Sequence, residues 1–326
     1  MKHALAFALL ATAAGHVLAL DLPPAPVARD DVLELDALTI VLPAPGLLAN
    51  DSGTGLILSS YFDPASGVLN RVVTDGSLTY TPERGFAGTT SFLYGITDAY
   101  GRIAQATVTI DASTSLPKAR DDYYTLNSTT LNISAPGLLA NDRGGIGDLI
   151  VSGYFDPSSG VLNRVLTDGS FTYTPERGFA GVASFTYGAM DELGRLSNAT
   201  VYIDAGASIP VAFDDSFSVL SGDTLDISAP GLLTNDRGGI GSLIVSGYFD
   251  PGSGTLERVV TDGSFRYRSP PGFVGDTTFL YGAMDDLGRL SNATVTIHVT
   301  AVPEPATWLM GLCGLAVLGM AARRRR

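Results

Sequence analysis

The chain has 326 residues, with 33 Asp and Glu against 20 Lys and Arg and a formal net charge of −13. That balance leaves no basic footprint for DNA or RNA. One cysteine (Cys313) and histidines only at 3, 16 and 298 exclude a disulfide scaffold and most routes to a zinc centre or an activated nucleophile.

The first element is an end signal. Lys2 and His3 precede the apolar run "ALAFALLATAAGHVLAL", which stops at Asp21 and two prolines. A charged n-region, a short h-region and small residues at the exit predict a signal peptide over residues 1–19 that enters the Sec machinery. Val17 and Ala19 stand at the −3 and −1 positions of a cut after Ala19. The alternative is a buried helix or an uncleaved anchor.

The middle of the chain repeats itself. "ARDD" ends at Asp31 and Asp122 and returns as "AFDD" ending at Asp215; "APGLLAND" spans 44–51 and 135–142 and returns as "APGLLTND" at 229–236. "TDGS" begins at 74, 167 and 261. A spacing of this size marks self-contained domains rather than solenoid turns, placed at 25–111, 117–204 and 210–300. Short proline-containing joints predict that neighbours touch.

Each unit reads as all-β. In the second copy "DDYYTLN", "TLNIS", "DLIVSGYF", "VLNRVL", "FTYTP", "VASFTYGAM" and "LSNATVYI" are short strands between Gly, Asp and Pro turns. Asp168-Gly169 predicts a hairpin with a type I′ turn. Alternation puts Phe171 with Tyr173, and Phe185 with Tyr187, on shared faces. Seven such strands describe an Ig-like β-sandwich.

The last element is the tail. Residues 306–322 carry no charge. As a helix they reach ~25 Å, just short of a ~30 Å hydrocarbon core. Arg323, Arg324, Arg325 and Arg326 follow at once, and such a cluster stays on the cytoplasmic side. The pattern predicts one transmembrane helix at the inner membrane with the repeats beyond it. The alternative is a core helix.

Two resemblances follow from these motifs. Val302-Pro303-Glu304-Pro305, the apolar helix and the arginine cluster together resemble the PEP-CTERM sorting signal over 302–326. The resemblance implies recognition and cleavage near Pro303–Pro305 by an exosortase, then delivery to the cell surface or the extracellular matrix. The three units resemble bacterial cadherin-like, or tandem Ig-like, repeats of about 95 residues. Members often carry an acidic "DxDGD" loop after "LAND"; here the loops read "NDSGTGL", "NDRGGIGDL" and "NDRGGIGSL", which have lost most of those carboxylates. Without residues 1–19 and the tail beyond Pro305, so that Glu304 stays, 33 acids face 15 bases.

Acid pairs open each domain: Asp30-Asp31, Asp121-Asp122 and Asp214-Asp215. Two readings fit them. They cap turns and strands, or they bind calcium at the joints together with Asp98, Asp191 and Asp285 from the "D..GR" turns and Asp111 and Asp204 from the preceding domain's end. The "YFDP" stretches offer Tyr61-Phe62, Tyr154-Phe155 and Tyr248-Phe249. Exposed, such aromatics stack on sugar rings; the other reading has one ring facing the core beside an Asp-Pro turn. His298 reads as a strand residue. Every acid cluster recurs in each domain, which suits caps or ligands better than an active site.

The whole predicts a non-enzymatic exported structural or adhesive repeat protein, with no required cofactor, in contact with exopolysaccharide or other surface proteins. Its rivals are a glycan- or protein-binding adhesin with calcium-rigidified repeats, and an extracellular hydrolase.

Overall fold

The computed structural model describes residues 22–303. The signal-peptide residues Val17 and Ala19, the segment 306–322, and Glu304, Pro305 and Arg323–Arg326 lie outside them. Among the described residues no helix is long and apolar enough to cross a membrane.

The first repeat has seven strands: β1 (Asp31–Glu34), β2 (Ile40–Leu42), β3 (Ile57–Tyr61), β4 (Val68–Val72), β5 (Leu78–Thr81), β6 (Thr89–Thr97) and β7 (Ile103–Asp111). They form a four-stranded sheet in the order β1-β7-β6-β3 and a three-stranded sheet β2-β5-β4. The second repeat gives β8 (Asp122–Thr125), β9 (Leu131–Ile133), β10 (Ile150–Tyr154), β11 (Val161–Val165), β12 (Phe171–Thr174), β13 (Val182–Met190) and β14 (Leu196–Asp204). The third gives β15 (Asp215–Leu220), β16 (Thr224–Ile227), β17 (Ile244–Tyr248), β18 (Thr255–Val259), β19 (Phe265–Arg268), β20 (Gly275–Met284) and β21 (Leu290–Thr300). Each repeat has the same two sheets in the same order.

The opening strand of each repeat pairs in parallel with the last: Asp31 lies opposite Val108, Asp122 opposite Val201 and Asp215 opposite Val295. All other pairs are antiparallel. A parallel partner cannot be reached by a tight turn, so the chain must traverse the whole sandwich before its ends meet. This closes each domain on itself.

The predicted faces hold. Phe171, Tyr173, Phe185 and Tyr187 are all at most 3% exposed. Phe171 and Phe185 meet edge-on with centroids 5.7 Å apart, a geometry favoured by the ring quadrupole. The buried phenols keep a partner: Tyr80, Tyr173 and Tyr267 donate to the carbonyls of Ser66, Ser159 and Ser253, each at 2.9 Å.

The turn after β11 differs from the type I′ expected of Asp168-Gly169. That turn needs positive φ at both central residues, and no described residue other than glycine has positive φ. Gly169 alone takes it, at +84°. The Gly169 amide donates to the Leu166 carbonyl and the Leu166 amide to Ser170, while the Asp168 carboxylate accepts from the Ser170 amide at 2.9 Å. The hairpin is as predicted; the Asp side chain, rather than an Asp in left-handed backbone, sets its turn.

Contacts group the chain into two compact units. The first holds the first repeat with Gly145–Gly147 and Glu192–Arg195; the second holds the remainder of the second repeat and the third.

Candidate functional site

Three features recur in every repeat and carry its chemistry. The first is the Asp-x-x-Gly-Arg turn between the two longest strands, at 98–102, 191–195 and 285–289. In the third repeat Asp285 accepts from the backbone amides of Leu287 (3.1 Å) and Arg289 (2.9 Å) and from Arg289 Nε (2.8 Å). The other side of the guanidinium reaches the preceding repeat, donating to the Ala205 carbonyl (2.5 Å) and the Ser208 carbonyl (2.8 Å). Asp285 and Arg289 are 2% and 4% exposed. Burial alone would raise the Asp285 carboxyl, but the Arg289 hydrogen bonds outweigh it and hold the group below the ordinary carboxylate range. Leu287, at the crown of the turn, lies in the core of the second repeat with Ile240 and packs by Phe179.

The first unit shows the same device. Arg195 donates to Ala112 O (3.2 Å), Ser115 Oγ (3.1 Å) and Ser115 O (2.8 Å), and Leu193 and Ile146 sit in the core with Leu35 and Phe92. Arg102 binds Asp98 and donates to the carbonyls of Pro23 and Pro24, both at 2.9 Å. A reading of the turn by its acids passes over these arginines. Their recurrence four residues after each Asp was the available signal.

The second feature lies inside each sandwich. The Tyr94, Tyr187 and Tyr281 hydroxyls rest against both carboxylate oxygens of Asp51, Asp142 and Asp236, at 2.9–3.1 Å. The second acid of the opening pair borders the same hydroxyl. Burial, reinforced by the neighbouring carboxylates, pushes Asp31 up to about 6, Asp122 to about 7 and Asp215 to about 6. The Asp of "LAND" and these tyrosines were also missed, because they are far apart in sequence and meet only through the sheet.

The third feature is the aromatic edge. Tyr61 and Phe62 are 45% and 62% exposed, Tyr154 and Phe155 45% and 75%, Tyr248 and Phe249 44% and 72%. Both rings of each pair face outward, on or just after the edge strands β3, β10 and β17. A shallow groove beside the second pair is lined by Thr186, Leu196 and Asn198.

The remaining predicted acids are dispersed. Asp30, Asp121 and Asp214 each accept the amide of Thr107, Thr200 and Thr294 at 2.8 Å. Asp111 accepts from the Ser113 amide and Asp204 from that of Gly206. Asp191 is 2% exposed. Among the described residues no group of three or more His, Cys, Asp or Glu is placed to hold a metal. His298 lies in β21 with its Nδ1 2.6 Å from Asp276, and Val302, at the end of the described chain, is exposed.

Two sheets with a parallel first strand, three times over, define an all-β tandem array of Ig-like sandwiches. The family model described as bacterial Ig domain matches residues 23–111, 114–204 and 207–298, and the chain belongs to that family. The model of the PEP-CTERM protein-sorting motif matches 301–326, so the chain carries that signal. No curated protein matches it. Solved structures similar to it include Drosophila N-cadherin EC1-4, at 13% identity over 84% of this chain and 74% of that one, with a TM-score of 0.24. An endo-fucoidan hydrolase from glycoside hydrolase family 107 is similar at 16% identity over 77% and 39%, TM-score 0.21. The human desmocollin-1 ectodomain is similar at 12% over 86% and 62%, TM-score 0.26. The chain spans less than two thirds of the length of these last two.

Proposed function

We propose that this exported repeat protein has a structural or adhesive, non-catalytic role at the cell surface or in the extracellular matrix, reached through exosortase processing of its tail. The observation that carries the reading is the pairing of tandem bacterial Ig domains with a PEP-CTERM motif on one chain. The buried Arg289 contact between the second and third repeats supports it, since a desolvated joint resists independent swinging of the domains. Every acid cluster recurs in each repeat, which fits a scaffold better than a single catalytic cleft. The inner membrane would hold the precursor through 306–322 until the tail is cut.

The test is mass spectrometry of the protein from its host with and without the exosortase, after fractionation. Expected is a mature surface form ending near Pro303–Pro305 that is replaced by a full-tailed membrane form without the enzyme. Intact precursor in the cytosol, uncut at both ends, would overturn the reading.

A second reading is favoured by the outward-facing aromatic pairs: an adhesin that stacks exopolysaccharide sugars or another surface protein on Tyr154-Phe155 and its equivalents. A glycan array with the Y154A/F155A variant tests it. Equal binding by variant and parent removes the aromatic edge from the account.

A further inference from the structure

Each sandwich buries more oxygens than its own protons can serve. In the second repeat the Tyr187 hydroxyl lies 2.7 Å from the Leu138 carbonyl, 3.4 Å from the Arg120 carbonyl, and 3.1 and 3.0 Å from Asp142 Oδ1 and Oδ2. A phenol has a single proton to donate, so most of these contacts bring acceptor against acceptor. Asp142 is 7% exposed. Its Oδ1 also takes the Arg120 amide at 2.8 Å.

Two further buried oxygens have no donor at all: Asp122 Oδ2 and Asn141 Oδ1. Asp122 is 6% exposed, and its carboxyl borders the same phenol. Asn141 spends its amide nitrogen on the Asp121 carbonyl, at 2.9 Å. That bond ties it to the backbone that carries Asp122 and leaves the amide oxygen unserved.

The pattern is not an accident of one domain. The first repeat leaves Asp31 Oδ2 and Asn50 Oδ1 without partners, and the third leaves Asp215 Oδ2 and Asn235 Oδ1. Around Tyr94 stand the carbonyls of Arg29 and Leu47 with Asp51; around Tyr281 stand those of Phe213 and Leu232 with Asp236. A buried acceptor without a donor is costly, roughly 1–3 kcal/mol for a neutral group and more for a charged one. A knot of them kept in every copy is suited to a positive centre that serves them together.

We propose that each repeat binds an oxygen-seeking divalent cation, calcium in class, between the second acid of its opening pair and the Asn-Asp that ends the "LLAND" or "LLTND" stretch. In the second repeat the ligands are Asp122, Asn141 and Asp142, with backbone carbonyls and water completing the shell. The donor set is entirely oxygen, with neither imidazole nor thiolate, which suits calcium and not zinc. Two carboxylates give the charge that a divalent ion neutralises in place. A proton on Asp122 would serve the carboxyl and leave the Asn141 oxygen as it is; a cation serves both. An acid count misses the set because one of its members is an asparagine. The site differs from one at the joints, where Asp98 and Asp285 are engaged by Arg102 and Arg289. It also stands apart from the surface role proposed above, and fails or holds without it.

Terbium, a calcium-sized ion whose emission is excited by a nearby tyrosine, is the probe, on the full chain stripped with EDTA. Expected is tyrosine-sensitised emission that saturates at one ion per repeat and is displaced by calcium. Asp122→Asn should remove one ion from the count, as should Asp142→Asn, while Asp121→Asn leaves it unchanged. Should either Asn variant fail to fold, the count on the unmutated chain and on Asp31→Asn decides. Absence of sensitised emission together with no calcium retained in equilibrium dialysis overturns the proposal. So does a full count in folded Asp122→Asn and Asp142→Asn, which would locate the ions elsewhere.

Discussion

The first and third repeats build the same Asp-x-x-Gly-Arg turn and use its crown differently. In the third, Leu287 is 6% exposed within the core of the preceding repeat, and Arg289 is closed over at 3% side-chain exposure. In the first, the equivalent crown is Tyr100, 51% exposed, with Arg102 5.3 Å from its ring and 29% exposed at the side chain. The neighbouring loop agrees. Its carbonyl accepts the turn's amide at Thr54 in the first repeat and at Ile240 in the third, and Ile240 is 4% exposed. Asp-Arg geometry is thus local and intrinsic to the turn. The burial that makes it strong comes from an apolar plug fitted to an apolar socket, and only a Leu/Ile crown supplies one.

Removing the guanidinium should break this contrast most sharply. Arg289→Ala strands a desolvated carboxylate and should cost about 3–5 kcal/mol, against roughly 1–2 kcal/mol for Arg102→Ala, whose site is partly wet. Denaturant unfolding of the full chain reads both, and equal losses would show that burial of the joint is not what matters. Leu287→Ala should cost about 2–4 kcal/mol as a core cavity, while Tyr100→Ala should stay within about 0.5 kcal/mol. Exchanging the crowns tests the socket itself. Leu287→Tyr should lose about 1–3 kcal/mol by overpacking, and Tyr100→Leu should be close to neutral.

A further effect is on pH. Asp285 is held low in the folded state, so its contribution is complete above the unfolded carboxyl value of ~3.9 and is lost as pH falls through the lower folded one. Asp285→Asn should therefore flatten the loss of stability below about pH 4, measured as the slope of the unfolding midpoint against pH. An unchanged slope would assign acid sensitivity to other carboxylates.

Much of the architecture is legible in the sequence alone. The repeat, the seven strands in each copy, the hairpin at Thr167–Ser170 and the inward faces of Phe171, Tyr173, Phe185 and Tyr187 all follow from local periodicity and turn chemistry. Side-chain alternation in a strand is a backbone property, so a few neighbouring residues suffice to reveal it.

The site was less legible, and the reason is distance along the chain. Asp122 meets Asp142 and Tyr187 only once β8 has joined β14 in parallel and β13 lies behind them. The opening acids looked alike in sequence. The strand pleat then turned Asp121 to the surface, onto the Thr200 amide, and Asp122 inward among buried oxygens. Arg289 likewise looked like an ordinary turn residue, until closure against Ala205 and Ser208 withdrew it from water. Local sequence determined which way each side chain points, because that depends on adjacent φ and ψ. Tertiary pairing decided which charges lose their solvent and whom they meet, because desolvation depends on residues scores of positions away.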